Sequence, residues 1–330
     1  MSRLSSGSWA SGNRVPPGPI VVIGSINMDL VCRVPRMPAP GETILGSDLS
    51  TLPGGKGANQ AVAAAKLGAT VHLIGRVGDD DFGARLINGL QQHKVNTEFV
   101  TVTEGTSSGC ALILVDKKGE NSIVVAPGAN AKLRPADIDA AEGLLAHASV
   151  VLIQLEIPME TVQHAIAACR RLGLFVILDP APVPPKGAPR EVFQVNVLTP
   201  NQREAEALLP MRQMGRMRRK KRVDAKQIGT DLLSRGPQTV VLKLGARGAM
   251  IQDQGGYIET VKGLKISVVD TTAAGDAFVG GMAVSLAEGK DMREAVKFAN
   301  AAGAACCRAF GAQPALPSRE AVEKLLKGRR

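Results

Sequence analysis

The residues from Val268 to Gly281 read VVDTTAAGDAFVGG, and Asp276 is the group in this stretch most able to do chemistry. A turn of alanines and glycine leads into an apolar helical pattern. The unpaired N–H groups and positive dipole end of such a helix bind an anion, so the turn can hold a phosphoryl group. A carboxylate beside a polyanion makes chemical sense if it takes the proton of an attacking hydroxyl while the amides stabilise the transferred charge. The competing reading is that Asp276 only caps the helix, as Asp in a first turn often does. The run before the turn predicts a strand from Lys265 to Asp270, and Thr271 and Thr272 are candidate caps.

Other polar residues fall at comparable joints. Asn27 and Asp29, two apart in the alternating run INMDLVCRV, point to the same side of an extended chain and can face one polar ligand together. Asn and Asp also serve ordinary turns, which is the alternative there. Gly54 to Gln60, GGKGANQ, opens a helix; its glycines let backbone approach closely, and Lys56 and Asn59 offer donors. Lys56 precedes Gly57 rather than Ser or Thr, so this is not a Walker A loop, and no GxGxxG follows the first strand. Glu156 ends the run VVLIQLE, and FVILDP and VNVLTPN end in the same way, the last followed by Glu204. Ligands of open parallel sheets lie beyond the carboxyl ends of strands, so the recurrence points to one shared site.

The elements needed to position these groups alternate strand and helix, with PIVVIGS first and VHLIGRVG, the helical DFGARLINGLQQH and VVLKLGARG later. Residues 106–126 instead read as a hairpin around DKKGEN. Together with residues 30–53 they predict a small β-sheet lid over a mostly parallel α/β layer. Residues 1–18 are expected to be a flexible N-terminus, and residues 19–330 one domain.

Composition narrows the function. The chain has 330 residues, 3% aromatics and a single Trp9 and Tyr257, so base stacking on aromatics is a poor fit. Much of the net charge of +10 sits in the basic stretch at 212–222, which reads as a solvated insertion or a nuclear-localisation signal rather than a nucleic-acid site. Cys32, Cys110, Cys169, Cys306 and Cys307 form no disulfide-like framework, and His72, His93, His147 and His164 show no zinc-ligand spacing. No apolar run reaches the roughly 18 residues of a membrane helix. The expectation is a soluble, cytoplasmic protein with no membrane partner; no C-terminal SKL is present.

The motifs together resemble the ribokinase/phosphofructokinase B family of sugar and nucleoside kinases over about residues 20 to 325. The signatures are GGKGAN at Gly54 to Asn59 and DTTAAGDAF at Asp270 to Phe278, similar to a DTxGAGD pattern, supported by NMD at Asn27 to Asp29, LE at Leu155 and Glu156, TPN with Glu204, and GAQP at Gly311 to Pro314. The resemblance implies a ribokinase-like α/β fold and ATP-dependent phosphorylation of D-ribose at its 5-hydroxyl. Asp276 would be the base, and the amides of Ala273, Ala274, Gly275 and Asp276 the anion hole. Asn27, Asp29, Gly55, Lys56, Asn59 and Glu156 would hold the sugar.

On the nucleotide side the resemblance implies Asn201 and Glu204 organising Mg²⁺ and phosphate through water, the turn Lys243, Leu244, Gly245, Ala246, Arg247 and Gly248 beside the nucleotide, and Asn300 flanking adenine. Asp270, Thr272, Cys306, Ala309, Gly311 and the position of Ala315 resemble a K⁺ loop. Two positions depart from the pattern. Ala273 stands where the motif has glycine, which predicts strain if the backbone there needs a glycine conformation, and Ala315 replaces a hydroxyl sometimes found near the cation. A fructokinase-like or nucleoside kinase of the same family, or a sugar-binding sensor with weakened catalysis, are the alternatives. The open edges of the lid predict a homodimer.

Overall fold

Short aliphatic runs, each closed by glycine or a polar residue, become the strands of the central layer. The computed structural model describes residues 15–209 and 224–328, so the N-terminal stretch to residue 14 and the basic segment at 212–222 lie outside the described residues. In chain order the strands are β1 (Ile20–Ile23), β2 (Asn27–Arg33), β3 (Leu49–Gly54), β4 (Val71–Gly78), β5 (Val95–Asn96), β6 (Val100–Thr103), β7 (Gly109–Val115), β8 (Asn121–Ala126), β9 (Val150–Gln154), β10 (Phe175–Asp179), β11 (Val197–Leu198), β12 (Thr239–Lys243), β13 (Gly248–Asp253) and β14 (Ile258–Lys262).

The large sheet runs β14-β13-β12-β11-β10-β9-β1-β4-β5, with β6 also paired to β4. From β12 to β5 every pairing is parallel, and only the β12-β13-β14 meander at one edge is antiparallel. Strands buried on both faces alternate between two cores. Ile20, Val22, Val150, Leu152, Phe175 and Ile177 join a core shared with the helices Lys56–Lys66, Ala274–Ala287 and Met292–Cys306. Their neighbours Val21, Ile23, Val151, Ile153, Val176 and Leu178 face the opposite core, which includes helix Met159–Arg171. Small residues permit close approach on the first side: a Cβ on Gly280 would sit 2.8 Å from the Ala63 Cβ.

The lid is a separate four-stranded sheet in the order β3-β2-β7-β8. The DKKGEN hairpin is present as β7–β8, its turn held by Asp116, which accepts from Lys118 N and Glu120 N at 2.8 and 3.0 Å. β2 pairs antiparallel with β3 and parallel with β7, so the lid is mixed and non-local. No helix among the described residues is long and apolar enough to cross a membrane.

One predicted strand does not form. Residues 265–270 are irregular, with Val268 and Val269 59% and 64% exposed. The sheet edge nearby is already closed by β14, and the Val269 N–H donates instead to the Cys307 carbonyl at 2.8 Å. A β-branched run without an edge to join stays a loop.

Candidate active site

The helix Lys56–Lys66 starts at Gly55, whose φ of +85° and close neighbours exclude a side chain: a Cβ there would lie 2.7 Å from the Asn27 backbone nitrogen. Gly54 makes a similar cradle, since its Cβ would lie 2.2 Å from Asp29 Oδ2. The glycines predicted to admit a ligand therefore first admit the polar residues of β2. Glu156, just past β9, accepts from the Lys56 N–H at 3.1 Å and from the Ser25 hydroxyl, tying the helix start to the sheet. Asn27 Oδ1 accepts from Asn130 Nδ2 at 2.7 Å, and Asn130 also brackets the Ile26 N–H and carbonyl at 2.8 and 3.1 Å.

Asp276 is buried in the first turn of helix Ala274–Ala287, and its carboxylate turns inward rather than capping the helix. Oδ2 accepts from Asn59 Nδ2 at 3.0 Å and Oδ1 from Gln60 Nε2 at 3.2 Å. Burial raises its pKa; the Lys56 ammonium opposes that shift and Asp179 adds to it. Burial also raises Asp29, helped by Glu156 and Asp276, to about 7. For Lys56 burial acts downward, but Asp276, Asp179, Glu156 and Glu204 outweigh it and hold the ammonium above its ordinary pKa. One cation is thus shared by carboxylates from four parts of the chain.

Lys56 and Asp276 also line a cavity of about 870 Å³ beside the same helix start. Of the residues predicted for a nucleotide, Asn201, Glu204, Lys243, Gly245, Ala246, Gly248, Gly275 and Asn300 line it, as do Ala273 and Ala274. Leu244 and Arg247 do not: Leu244 packs against the second core, and Arg247 Nη2 donates to Gln202 Oε1 at 3.1 Å. Asn201 and Glu204 form a reciprocal capping box, with the Glu204 N–H donating to Asn201 Oδ1 at 2.9 Å and the Asn201 N–H to Glu204 Oε2 at 2.7 Å. They line the cavity while capping their helix, so both roles hold at once. Asn300 Nδ2 donates to the Val261 carbonyl at 3.1 Å.

At the turn itself Thr271 and Thr272 do not cap the helix. Thr272 donates through its N–H and hydroxyl to Asp270 Oδ1 at 2.9 and 2.8 Å, and the N-cap position falls to Ala273 with no side-chain bond. Ala273 is left-handed, φ +57° and ψ 7°, so the strain expected from its replacing a glycine is present in the backbone. The Ala274 N–H donates to the Thr271 carbonyl at 3.2 Å, which removes it from the expected anion donors. Gly311 N–H donates to Asp270 Oδ2 at 2.9 Å and Cys306 Sγ contacts the Thr272 carbonyl at 3.5 Å, bringing four of the predicted cation-loop residues together. Ala309 N–H bonds the Cys306 carbonyl at 3.3 Å, and Ala315 lies buried in the short helix that follows. Among the described residues no cluster of His, Cys, Asp and Glu suits a metal ion.

Two groups escaped the sequence reading, Gln60 and Gln154, whereas Asp179 is the polar end of FVILDP that the strand-end rule pointed to. Gln60 links Asp276 to Asp179, Gln154 holds Gln60, and Asp179 pairs with Lys243 Nζ at 2.8 Å on the cavity wall. Asp179 ends β10 and obeys the same strand-end rule as Glu156; neutral glutamines inside a helix and a strand carry no such signal.

A buried carboxylate at a helix start, bonded to two side-chain amides and lining a large cavity, is an arrangement suited to phosphoryl transfer by a small-molecule kinase. The pfkB family of carbohydrate kinases matches residues 19–319, and the chain belongs to that family. It is 39% identical to the ribokinase of Bacillus subtilis over 307 residues, covering 93% of this chain and 99% of that one. Among solved structures it resembles the ribokinase of Thermotoga maritima, with a TM-score of 0.83, 37% identity and coverage of 94% and 99% of the two chains. The ribokinase of Arabidopsis thaliana, solved with ribose and ATP, gives a TM-score of 0.83 at 32% identity and the same coverage.

Proposed function

We propose that this enzyme transfers the γ-phosphoryl group of ATP to the 5-hydroxyl of D-ribose, releasing D-ribose 5-phosphate and ADP. The observation that carries the reading is the position of Asp276, buried, bonded to Asn59 and on the wall of the cavity. Relatives named for ribokinase activity, matched over nearly their whole length, support ribose as the acceptor. In the proposed step Asp276 takes the hydroxyl proton, the oxygen bonds to the γ-phosphorus, and the bond to the bridging oxygen breaks so that ADP leaves. Positioning and charge stabilisation supply most of the rate in such a transfer.

Asn27, Asp29, Gly55, Lys56, Asn59 and Glu156 hold the sugar in this reading. Asn59 Oδ1 is buried with no hydrogen-bond partner among the described residues, an acceptor that a sugar hydroxyl would satisfy. The Gly275 and Asp276 amides and Lys243, whose ammonium would lie 3.7 Å from a Cβ on Gly275, face the phosphates. Asn201 and Glu204 would organise Mg²⁺ through water; the oxygen donors suit a hard cation, which neutralises phosphate charge when bound. Asp270, held by the Thr272 and Gly311 N–H groups, would supply a carboxylate to K⁺, with the loop of Thr272, Cys306, Ala309, Gly311 and Ala315 around it. Two copies would pair through the lid, and the cytosol is the proposed compartment.

The deciding assay is ADP release from ATP and Mg²⁺ with ribose, 2-deoxyribose, fructose, adenosine or no sugar, each in K⁺ and in Na⁺. Ribose-dependent, K⁺-stimulated turnover is expected. Faster turnover with another acceptor overturns the substrate assignment, and ribose binding without turnover with any acceptor favours the sensor.

A further inference from the structure

Gln60, on helix Lys56–Lys66, is fully buried and touches no solvent, yet it sits between two carboxylates. Its Nε2 lies 3.2 Å from Asp276 Oδ1 and 3.0 Å from Asp179 Oδ2. The amide orientation follows from charge. Two carboxylates can be met only by the NH₂ end, so Oε1 must point the other way, where Gln154 Nε2 donates to it at 2.6 Å. Gln154 is equally buried at the end of β9, and its own Oε1 has no hydrogen-bond partner among the described residues. Gly24 makes room for this oxygen, since a Cβ there would lie 2.0 Å from it. The far end of the chain of contacts is functional: Asp179 Oδ1 accepts from Lys243 Nζ at 2.8 Å, and Lys243 lines the nucleotide side of the cavity.

The geometry points to Gln60 as a positioning residue that holds the carboxylate of Asp276 and ties it to the Asp179–Lys243 pair, with Gln154 fixing the amide that does so. The assignment rests on the kinase reading, with Asp276 as base. Each hydrogen of one NH₂ group serves a different carboxylate, so a neutral donor bridges the two acidic groups and fixes their separation. The groups facing Asp276 are Lys56, Asn59 and Gln60 from its neighbouring helix, Asp179 from β10, Asp29 from β2 and Cys306 from helix Met292–Cys306. Of these, Gln60 alone contacts both carboxylates and carries no charge. Losing its donors removes stabilisation of the ionised base and leaves Asp179 facing it unscreened. The pKa of the base then rises.

The experiment compares wild type with Gln60→Leu and Gln154→Leu, using whichever sugar the wild type phosphorylates. An inactive wild type would refute the kinase reading itself, whereas this inference is judged only on differences from an active wild type. For Gln60→Leu, kcat near neutral pH is expected to fall by about tenfold or more with KM for the sugar changed by less than about threefold, and the acid limb of the kcat–pH profile moves to higher pH. Gln154→Leu moves both quantities the same way by less, because it frees the amide without deleting it; it also decides the matter if Gln60→Leu does not fold. An unshifted acid limb in folded variants, or a loss confined to KM, overturns the assignment.

Discussion

Asn59 and Asp276 are 217 residues apart in the chain and 3.0 Å apart in space, the amide of one helix start donating to the carboxylate of another. The contact joins the two glycine-rich turns that carry the chemistry. Under the proposed mechanism it would put the proton acceptor next to the amide assigned to the sugar, so one junction would set both the orientation of the hydroxyl and the removal of its proton.

If Asp276 is the base, Asp276→Asn keeps the volume of the side chain and loses the proton acceptor. Turnover is expected to fall by roughly 10²–10⁴-fold. Ribose affinity measured by calorimetry should change little, because Asn27, Asp29 and Glu156 are untouched. Normal turnover in the variant would refute the role.

Legibility followed chemistry. Lys56, Asn59, Glu156 and Asp276 stand out because a polar residue at a glycine turn or strand end contradicts local packing. Gln60 and Gln154 do not, since a glutamine in a helix or strand reads as surface until contacts 94 and 216 residues away bury it. The lid hairpin was legible from its turn, but the parallel β2–β7 pairing that builds the lid sheet is non-local. Residues 265–270 misled for the opposite reason: β-branched composition states a preference, and β14, which the motif reading passed over, had already taken the edge.

Asp29 predicts a pH dependence. Its carboxyl is raised from 3.8 to about 7 by burial, with Glu156 and Asp276 adding repulsion. If Asp29 accepts from sugar hydroxyls as proposed, its ionised form is the acceptor, so affinity is lost as pH falls through 7 and gained as it rises. For folding the sign is reversed: a raised carboxyl contributes stability below its unfolded value and loses it as pH rises through the folded one. KM for ribose should therefore fall between about pH 6 and pH 8, and Asp29→Asn, weaker throughout, should flatten that slope. A slope that survives in Asp29→Asn assigns the titration elsewhere.

The lid leaves apolar surface open. All six residues of β8 are exposed, Ile123, Val124 and Val125 among them, and Leu112 on β7 is 51% exposed. Open strand edges with apolar faces pair with another chain. Sedimentation at micromolar concentration is expected to show a dimer, and Val124→Lys to shift it toward monomer while leaving far-UV dichroism unchanged. A wild-type monomer would sink the pairing.

Ala273 tests how much the anion turn depends on its left-handed backbone. At φ +57° an alanine is strained by about 1 kcal/mol, whereas glycine is not, although glycine also loosens the unfolded chain by a similar amount. Ala273→Gly should therefore be between neutral and about 1 kcal/mol more stable in urea melts, with turnover within about threefold of wild type. Ala273→Val is the opposing probe. A β-branched side chain is a poorer occupant of that region, so the turn is expected to move out of it, costing about 1–2 kcal/mol and shifting the Gly275 and Asp276 amides proposed to face the phosphates. Turnover then drops more than KM for ribose, because the loss falls on the transferred group and not on the sugar site. If Ala273→Val matches wild type in both stability and turnover, the left-handed turn is not what aims those amides.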